Sequence, residues 1–272
     1  MRRRLDAELV RRGLARSRSD AVAVIKSGLV TVGGAPADNP ARMVDDAVAV
    51  HVAGPAIPYV SRGGLKLAAA LDAFAIHTRG LRWLDAGAST GGFTDCLLQR
   101  GAAQVVAVDV GHGQLAWSIR SHPQVQVFER TNVRTLTPDA IGGPAQGCVG
   151  DLSFISLRSV VPALLECTNP DGDVVLLIKP QFEAGPQRIG KGGIVRDPDV
   201  RADVVCEVVT ALGDLGLLVC GLVPSPISGA DGNREFLAHG RRAGAILSLD
   251  TVRSTVLDDA AETPGENGKN GE

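Results

Sequence analysis

The chain of 272 residues carries 28 Lys and Arg against 30 Asp and Glu, and is 44% hydrophobic but only 3% aromatic, a composition that suits one large globular domain with a small companion. Its longest apolar runs, "DVVLLIKP" and "GLLVCGLV", fall far short of the roughly 18 apolar residues of a spanning helix, and no apolar core or cleavage site follows the basic start "MRRRLDAELV". A cytoplasmic protein without a membrane segment is therefore expected, and its five cysteines, scattered without CxxC pairs, fit reduced thiols rather than disulfides or a metal centre.

Residues 1–26 hold eight basic side chains against Asp6, Glu8 and Asp20. "RLDAELVRRG" places Leu5, Leu9 and Val10 on one helical face and stops at Gly13, and "SRSDAVAVIKSG" runs from a serine cap to Gly28. "LVTVGGAPADNP" then alternates like a strand and turns at Gly33-Gly34, and "DDAVAVHV" alternates again. Two helices beside a small hairpin-like sheet follow. Arginines on the exposed helical faces would make one positive surface for phosphates, although charge alone equally describes two solvated amphipathic helices. The run "RLDAELVRRGLARSRSDAVAVIKSGLVTVGGAPADNPARMV" resembles the S4 RNA-binding fold. That resemblance implies contact with structured RNA, with Arg4, Arg16, Arg18 and Lys26 at matching positions, and places an S4-like domain at residues 1–55.

Residues 56–62 read as a linker, because Pro58 in "IPYV" removes a donor and keeps Ile57 out of helix; Arg62 at its end is a further candidate RNA contact. From Gly64 to Ile76, apolar residues recur at helical spacing with Lys66 off the stripe, where a lysine usually faces solvent.

"RWLDAG", "VVAVDV", "VQVFER", "CVGDLSF" and "DVVLLIKP" are apolar strands separated by helix-length segments, the pattern of a parallel α/β sheet. Their ends carry Asp85, Asp109, Glu129, Asp151 and Lys179, and ligands bind at that edge of an open α/β sheet. The turn "DAGASTGGFT" does not fit the GxGxxG of a dinucleotide fingerprint, and Asp85 at its entrance would repel a pyrophosphate and attract a cation. S-adenosylmethionine is cationic, and its ribose hydroxyls suit Asp109. The candidate cofactor contacts are accordingly Asp85, Gly87, Ser89, Gly91, Gly92, Phe93 and Asp109, extended by Thr131, Asn132 and Asp151. Helix capping is the competing role for Thr131, Asn132 and Asp151.

Methylation of a hydroxyl, a poor nucleophile, needs a base or electrostatic partner. Lys179 ends an apolar strand where its ammonium is partly desolvated, and Asp151 on the neighbouring strand can orient it. Glu235 opens the last strand after the glycine-rich "GADGN".

Lys66, Asp151, Lys179 and Glu235 fall in the order and contexts of the Lys-Asp-Lys-Glu set of FtsJ-type ribose 2′-O-methyltransferases. "YVSRGGLKL", "LDAGASTGGFTDCLL", "GHGQLAWSIR", "DLSFISL", "IKPQFEAG", "GKGGIVRDP" and "SPISGADGNREF" are similar to the TlyA family throughout. The resemblance implies a class I methyltransferase domain over 63–250 with a mostly parallel seven-stranded sheet, and S-adenosylmethionine-dependent 2′-O-methylation of cytidine in 16S or 23S ribosomal RNA. It further implies 30S or 50S subunits as partners, with no obligatory protein partner, and an influence on sensitivity to capreomycin-like antibiotics. By the same carry-over Lys179 is the principal base, Asp151 orients it, and Lys66 and Glu235 position the ribose. Arg188 and Lys191, in "PQRIGKGGIVRD", would extend the RNA surface. Two departures from the family pattern are His112, where tyrosine is frequent, and Arg234, where an apolar residue is common. A membrane-active haemolysin and a non-catalytic ribosome-assembly factor are the competing functions. The acidic end, residues 257–272, reads as a disordered tail.

Overall fold

A computed structural model describes residues 2–15, 18–53, 58–190, 192–229 and 232–262. The chain divides into two compact units, Met1–Ser61 and Arg62–Glu272.

In the first unit, β1 (Arg2–Arg4) leads directly into α1 (Leu5–Arg11), followed by α2 (Arg18–Lys26), β2 (Val30–Val32), β3 (Ala35–Pro36), β4 (Met43–Asp45) and β5 (Val50–Val52). β2 pairs antiparallel with both β3 and β5, and β1 with β4. Leu5, Leu9, Ala21 and Ile25 from the helices meet Val30 and Val32 from the sheet in a small core. The apolar stripes of two short helices are thus covered by one sheet face.

The second unit begins with α3 (Gly63–Ala73) and continues through β6 (Arg82–Ala86), α4 (Gly92–Gln99), β7 (Gln104–Val108), α5 (Trp117–Arg120), β8 (Val125–Phe128), β9 (Ala145–Gly150), α6 (Val161–Glu166), β10 (Thr168–Ile178), α7 (Pro180–Glu183), α8 (Pro198–Asp214), β11 (Leu218–Pro224), β12 (Phe236–Arg241) and α9 (Leu249–Glu262). Its seven strands lie in the order β11-β12-β10-β9-β6-β7-β8. β6 to β10 pair in parallel, and β12 is antiparallel to both its neighbours. This is the mostly parallel seven-stranded α/β sheet expected.

Alternation along the strands sets the two faces. Leu84, Ala86, Val106, Val108, Cys148, Leu176 and Ile178 pack with Leu164, Val205, Leu212, Val252 and Val256 of the helices α6, α8 and α9. Asp85 lies on the other face, under α4, where it meets Thr94. The chain leaves β6 toward β7 and β8, then returns to lay β9 on the opposite side of β6. That reversal opens a crevice between the ends of β6 and β9, the place where such sheets bind ligands.

Two expectations need correction. Lys66 does not face solvent: it is buried on α3. The tail does not begin at residue 257, because α9 runs through Glu262 and seats Asp259 in the interior; only residues 263–272 of that segment lie outside the described ones. No described helix is long and apolar enough to cross a membrane.

Candidate active site

The crevice is a cavity of about 410 Å³ lined by Gly87 and Ser89 after β6, Asp109 and Gly111 after β7, Thr131 and Asn132 after β8, and Asp151 to Ile155 after β9. Gly87 has φ +84°, and a Cβ there would lie 2.6 Å from the Asp151 carbonyl oxygen. Any side chain there would collide with the Asp151 backbone and crowd Leu152. Ser89 and Phe154, both on the wall, have φ of 48° and 61°, conformations that cost a non-glycine residue on the order of 1–3 kcal/mol and gather at functional sites.

Asp109 is fixed by two backbone donors, the Ser89 N–H at 2.8 Å and the Gly111 N–H at 2.6 Å. Each carboxylate oxygen keeps lone pairs for further donors such as two vicinal hydroxyls. Asn132 caps the short 3₁₀ turn Val133–Thr135, accepting from the Arg134 N–H at 3.1 Å, so capping and cavity lining coexist there. Glu129 instead braces a loop, accepting from the Gly113 N–H at 2.8 Å and facing His112 Nδ1 at 2.6 Å and the Arg120 guanidinium.

Asp85, Gly91, Gly92 and Phe93 are not among the residues that line this cavity. Gly91, at φ +97°, packs where a Cβ would crowd Leu115 and Ile119, and Gly92 and Phe93 are buried in the first turn of α4. Asp85 has no exposed surface; one oxygen accepts from Thr94 Oγ1 at 2.6 Å and the other has no protein partner. Burial pushes its carboxyl up to about 7, against the Thr94 hydrogen bond and with help from the Asp151 and Asp109 charges. The entrance acid therefore sits beneath the turn rather than in its mouth. Its orphaned oxygen is a buried acceptor awaiting a donor.

At the far side of the crevice two lysines meet two acids. Lys179 Nζ lies 2.6 Å from Asp151 Oδ1 and donates to Ser153 Oγ at 2.8 Å. Lys66 Nζ pairs with Glu235 Oε2, both side chains being buried. The sheet explains the grouping. Asp151 follows β9 and Lys179 follows β10, while Phe236 of β12 stands opposite Ile178, which puts Glu235 beside the end of β10. Lys66 comes from α3, which packs on β12. Gly229 leaves room for the Glu235 carboxylate, since a Cβ there would fall 2.1 Å from its Oε1. Asp151 is engaged by Lys179 rather than capping a helix; the following 3₁₀ turn is capped by Ser156.

The basic residues of the first unit are more engaged than charge counting suggested. Asp6 and Glu8 are buried acids: Arg4 and Arg18 face Asp6 at 2.9 and 3.1 Å, and Arg11 and Arg12 face Glu8 at 2.5 and 2.6 Å. Hydrogen bonds from these guanidinium groups, chiefly from Arg4 and Arg11, hold both carboxyls down at about 2. Four cations against two anions still leave an excess of two positive charges. Lys26 is exposed at the end of α2. In the second unit Arg62 is exposed and donates to the Ser228 carbonyl, and Arg188 is bidentate to Glu207 at 2.7 and 2.8 Å. Arg16 and Lys191 lie outside the described residues.

Several wall residues, among them Val110, Leu152 and Ile155, carry no chemical signature in the sequence because they are apolar residues after a strand, and Gln114 lies on a loop several residues beyond β7. Glu183 was equally silent. Its only signal was the acid four positions after Lys179.

Residues 59–242 match the FtsJ-like methyltransferase family, and residues 3–48 match the S4 domain. The chain is 55% identical over 265 residues to the 16S/23S rRNA (cytidine-2′-O)-methyltransferase TlyA of Mycobacterium tuberculosis, covering 97% of this chain and 99% of that protein. It is 39% identical to Hemolysin A of Brachyspira hyodysenteriae, over 87% of this chain and 98% of the relative. A solved hemolysin-named structure from Streptococcus thermophilus superposes with a TM-score of 0.78 at 39% identity, over 96% of both chains.

Proposed function

Because the chain belongs to the TlyA family, with S4 and FtsJ-like methyltransferase domains, we propose that it methylates the 2′-hydroxyl of cytidine in ribosomal RNA, 16S or 23S or both, with S-adenosylmethionine as donor. The observation that carries this reading is the Lys179–Asp151 ion pair at 2.6 Å on the rim of the strand-end cavity.

The residues present fit that cofactor. The glycine cradle at Gly87 leaves backbone where a side chain would collide across the crevice, Asp109 offers its carboxylate to a ribose, and the buried Asp85 supports the turn from beneath through Thr94. S-adenosylmethionine, when bound, supplies a methyl group activated by a sulfonium charge that disappears on transfer. What the protein must add is alignment and an exit for the hydroxyl proton. Lys179 Nζ donates to Ser153 Oγ and stands in ion-pair contact with Asp151, and of the three donors of an ammonium one is left for the ribose oxygen. Asp151 takes a proton from Nζ, and the neutral amine that remains turns its lone pair to the ribose hydroxyl and accepts its proton as the O–H bond weakens, so the proton count ends with one on the carboxylate and Lys179 charged again. Lys66 and Glu235 cap the same edge as a buried ion pair and position the ribose.

The S4 unit supplies affinity through phosphates, which position but do not specify. Lys26 and the excess charge around Asp6 and Glu8 support that role, with Arg4, Arg16 and Arg18 as further contacts and Arg62, Arg188 and Lys191 of the second unit adding to them.

The decisive experiment is tritium transfer from labelled S-adenosylmethionine to purified 30S and 50S subunits, comparing wild type with Lys179→Ala and mapping the label on the RNA. Label on a cytidine ribose that disappears in Lys179→Ala is the expected result. Measurable cofactor binding with no transfer to either particle would reject this substrate.

A further inference from the structure

We propose that Glu183 is a positioning residue for this site: its carboxylate clamps the segment from Asp151 to Leu157, which carries Asp151 and Ser153 to Lys179 and forms one wall of the cofactor cavity. The inference rests on the function proposed above.

The segment between β9 and the 3₁₀ turn Leu157–Ser159 has no regular structure, yet Leu152, Ser153, Phe154 and Ile155 all face the cavity. Something other than a backbone ladder must hold it. The stretch Lys179–Glu183 does so at successive points. Lys179 takes Asp151 and Ser153. Phe182 lies against Phe154 with ring centroids 5.0 Å apart, tilted by 45°, and the Lys179 ammonium stands 5.8 Å from the centre of the Phe182 ring. Glu183 closes the far end, accepting from Ser156 Oγ and from the Leu157 N–H, each at 2.7 Å.

That last contact is costly to keep. Burial pushes the Glu183 carboxyl up, and the hydrogen bonds from Leu157 and Ser156 and the more distant Arg158 charge only partly offset it. Leu157 itself is already anchored, its side chain being in the core. A carboxylate is therefore not needed to keep Leu157 inside. What it fixes is the direction of the Ser156–Leu157 peptide, and through it the path of the preceding four residues. Phe154 needs such support, because it is held at φ 61° with its side chain 90% exposed, and such a conformation persists only where its surroundings over-determine it. Released at Ser156, the segment can relax there, and the wall residues and Ser153 move with it.

The test compares Glu183→Ala, Glu183→Gln and Ser156→Ala with wild type and with Val256→Ala, a core substitution on α9 chosen as a reference for simple destabilisation. Three quantities are read on the full chain: the melting temperature, the dissociation constant for S-adenosylmethionine by calorimetry, and the single-turnover rate of methyl transfer to ribosomal subunits. Glu183→Ala is expected to weaken cofactor binding and slow transfer, each by about 10-fold, as a misplaced positioning shell does, while Val256→Ala lowers the melting temperature without either change. Glu183→Gln, whose amide can still accept from Leu157 and donate to Ser156, should recover most of both, and Ser156→Ala should fall between. If Glu183→Ala binds and transfers like Val256→Ala, or if Glu183→Gln is as impaired as Glu183→Ala, the inference is overturned. Wild type that binds the cofactor but methylates neither subunit rejects the proposed substrate, and the binding comparison then decides on Glu183 alone. Wild type that binds no S-adenosylmethionine overturns both.

Discussion

Lys66 and Glu235, 169 positions apart in the chain, form an ion pair with both side chains buried. A buried pair is costly to form and more costly to halve, because removing one partner strands the other charge at about 3–5 kcal/mol. Lys66→Met should therefore destabilise the protein by roughly that amount, whereas Lys66→Met combined with Glu235→Leu should recover much of the loss. Urea unfolding of the two singles and the double, treated as a mutant cycle, checks this. All three variants should lack methyl transfer, so the double separates stability from function. A double no more stable than Lys66→Met would mean that the pair is not the source of the cost.

Asp85 gives a pH dependence whose sign follows from its burial. Its folded carboxyl is raised to about 7 from an ordinary value near 4, so between those values the folded chain binds a proton that the unfolded chain has released. Stability from this group is full below about pH 4 and falls as pH rises through about 7. Asp85→Asn keeps an acceptor for Thr94 without the charge. It should raise the melting temperature at pH 8, by an amount corresponding to roughly 2–4 kcal/mol, and change it little near pH 4. Equal melting temperatures for wild type and variant at pH 8 would refute the raised carboxyl.

Two glycines test the two halves of the site separately. Gly87→Ala places a methyl 2.6 Å from the Asp151 carbonyl at a backbone φ of +84°, and should abolish measurable S-adenosylmethionine binding. Gly229→Ala drives its methyl into the Glu235 carboxylate on a loop away from the cavity wall. It should leave cofactor binding within about 2-fold of wild type and lower the transfer rate by about 100-fold, the scale of a displaced positioning group. Calorimetry and single-turnover transfer distinguish the two, and loss of cofactor binding in Gly229→Ala would contradict the division.

These relationships also mark what the sequence could carry. The central strands were readable because both their faces are buried, which turns them into continuous apolar runs, and the ionisable residues at their ends stood out against that background. Depth was not readable. Helical periodicity put Lys66 off the apolar stripe, yet a lysine stem can run along apolar surface for several ångströms, and the carboxylate that receives it lies far along the chain, just before β12. The same blindness affected the termini. "LDDAAE" reads as acidic tail, but Asp259 there is bound by the Arg234 guanidinium, a partner visible only once α9 is folded back beside Glu235. In the first unit, a surplus of arginines was legible and the buried acids that absorb part of it were not.

Those acids make the last prediction. Asp6 is held down at about 2, first by its hydrogen bonds from Arg4, with Arg18 and the Ala7 N–H adding and burial opposing. A depressed folded value means that stability from Asp6 is present above the unfolded value near 4 and is lost as pH falls through about 2. The helices Leu5–Arg11 and Arg18–Lys26 should then remain protected against amide exchange at pH 3, measured by mass spectrometry on the full chain, and lose that protection in Asp6→Asn at the same pH. At pH 7 the variant should also lose protection, though the unit keeps the Glu8 cluster and its small core. For RNA the direction reverses: removing one negative charge adds about one to the charge available for phosphates, so binding to subunits should show a steeper salt dependence by at most about 0.9 in the log–log slope. An unchanged slope would place Arg4 and Arg18 outside the RNA contact and leave Lys26 and the Glu8-bound arginines to carry it.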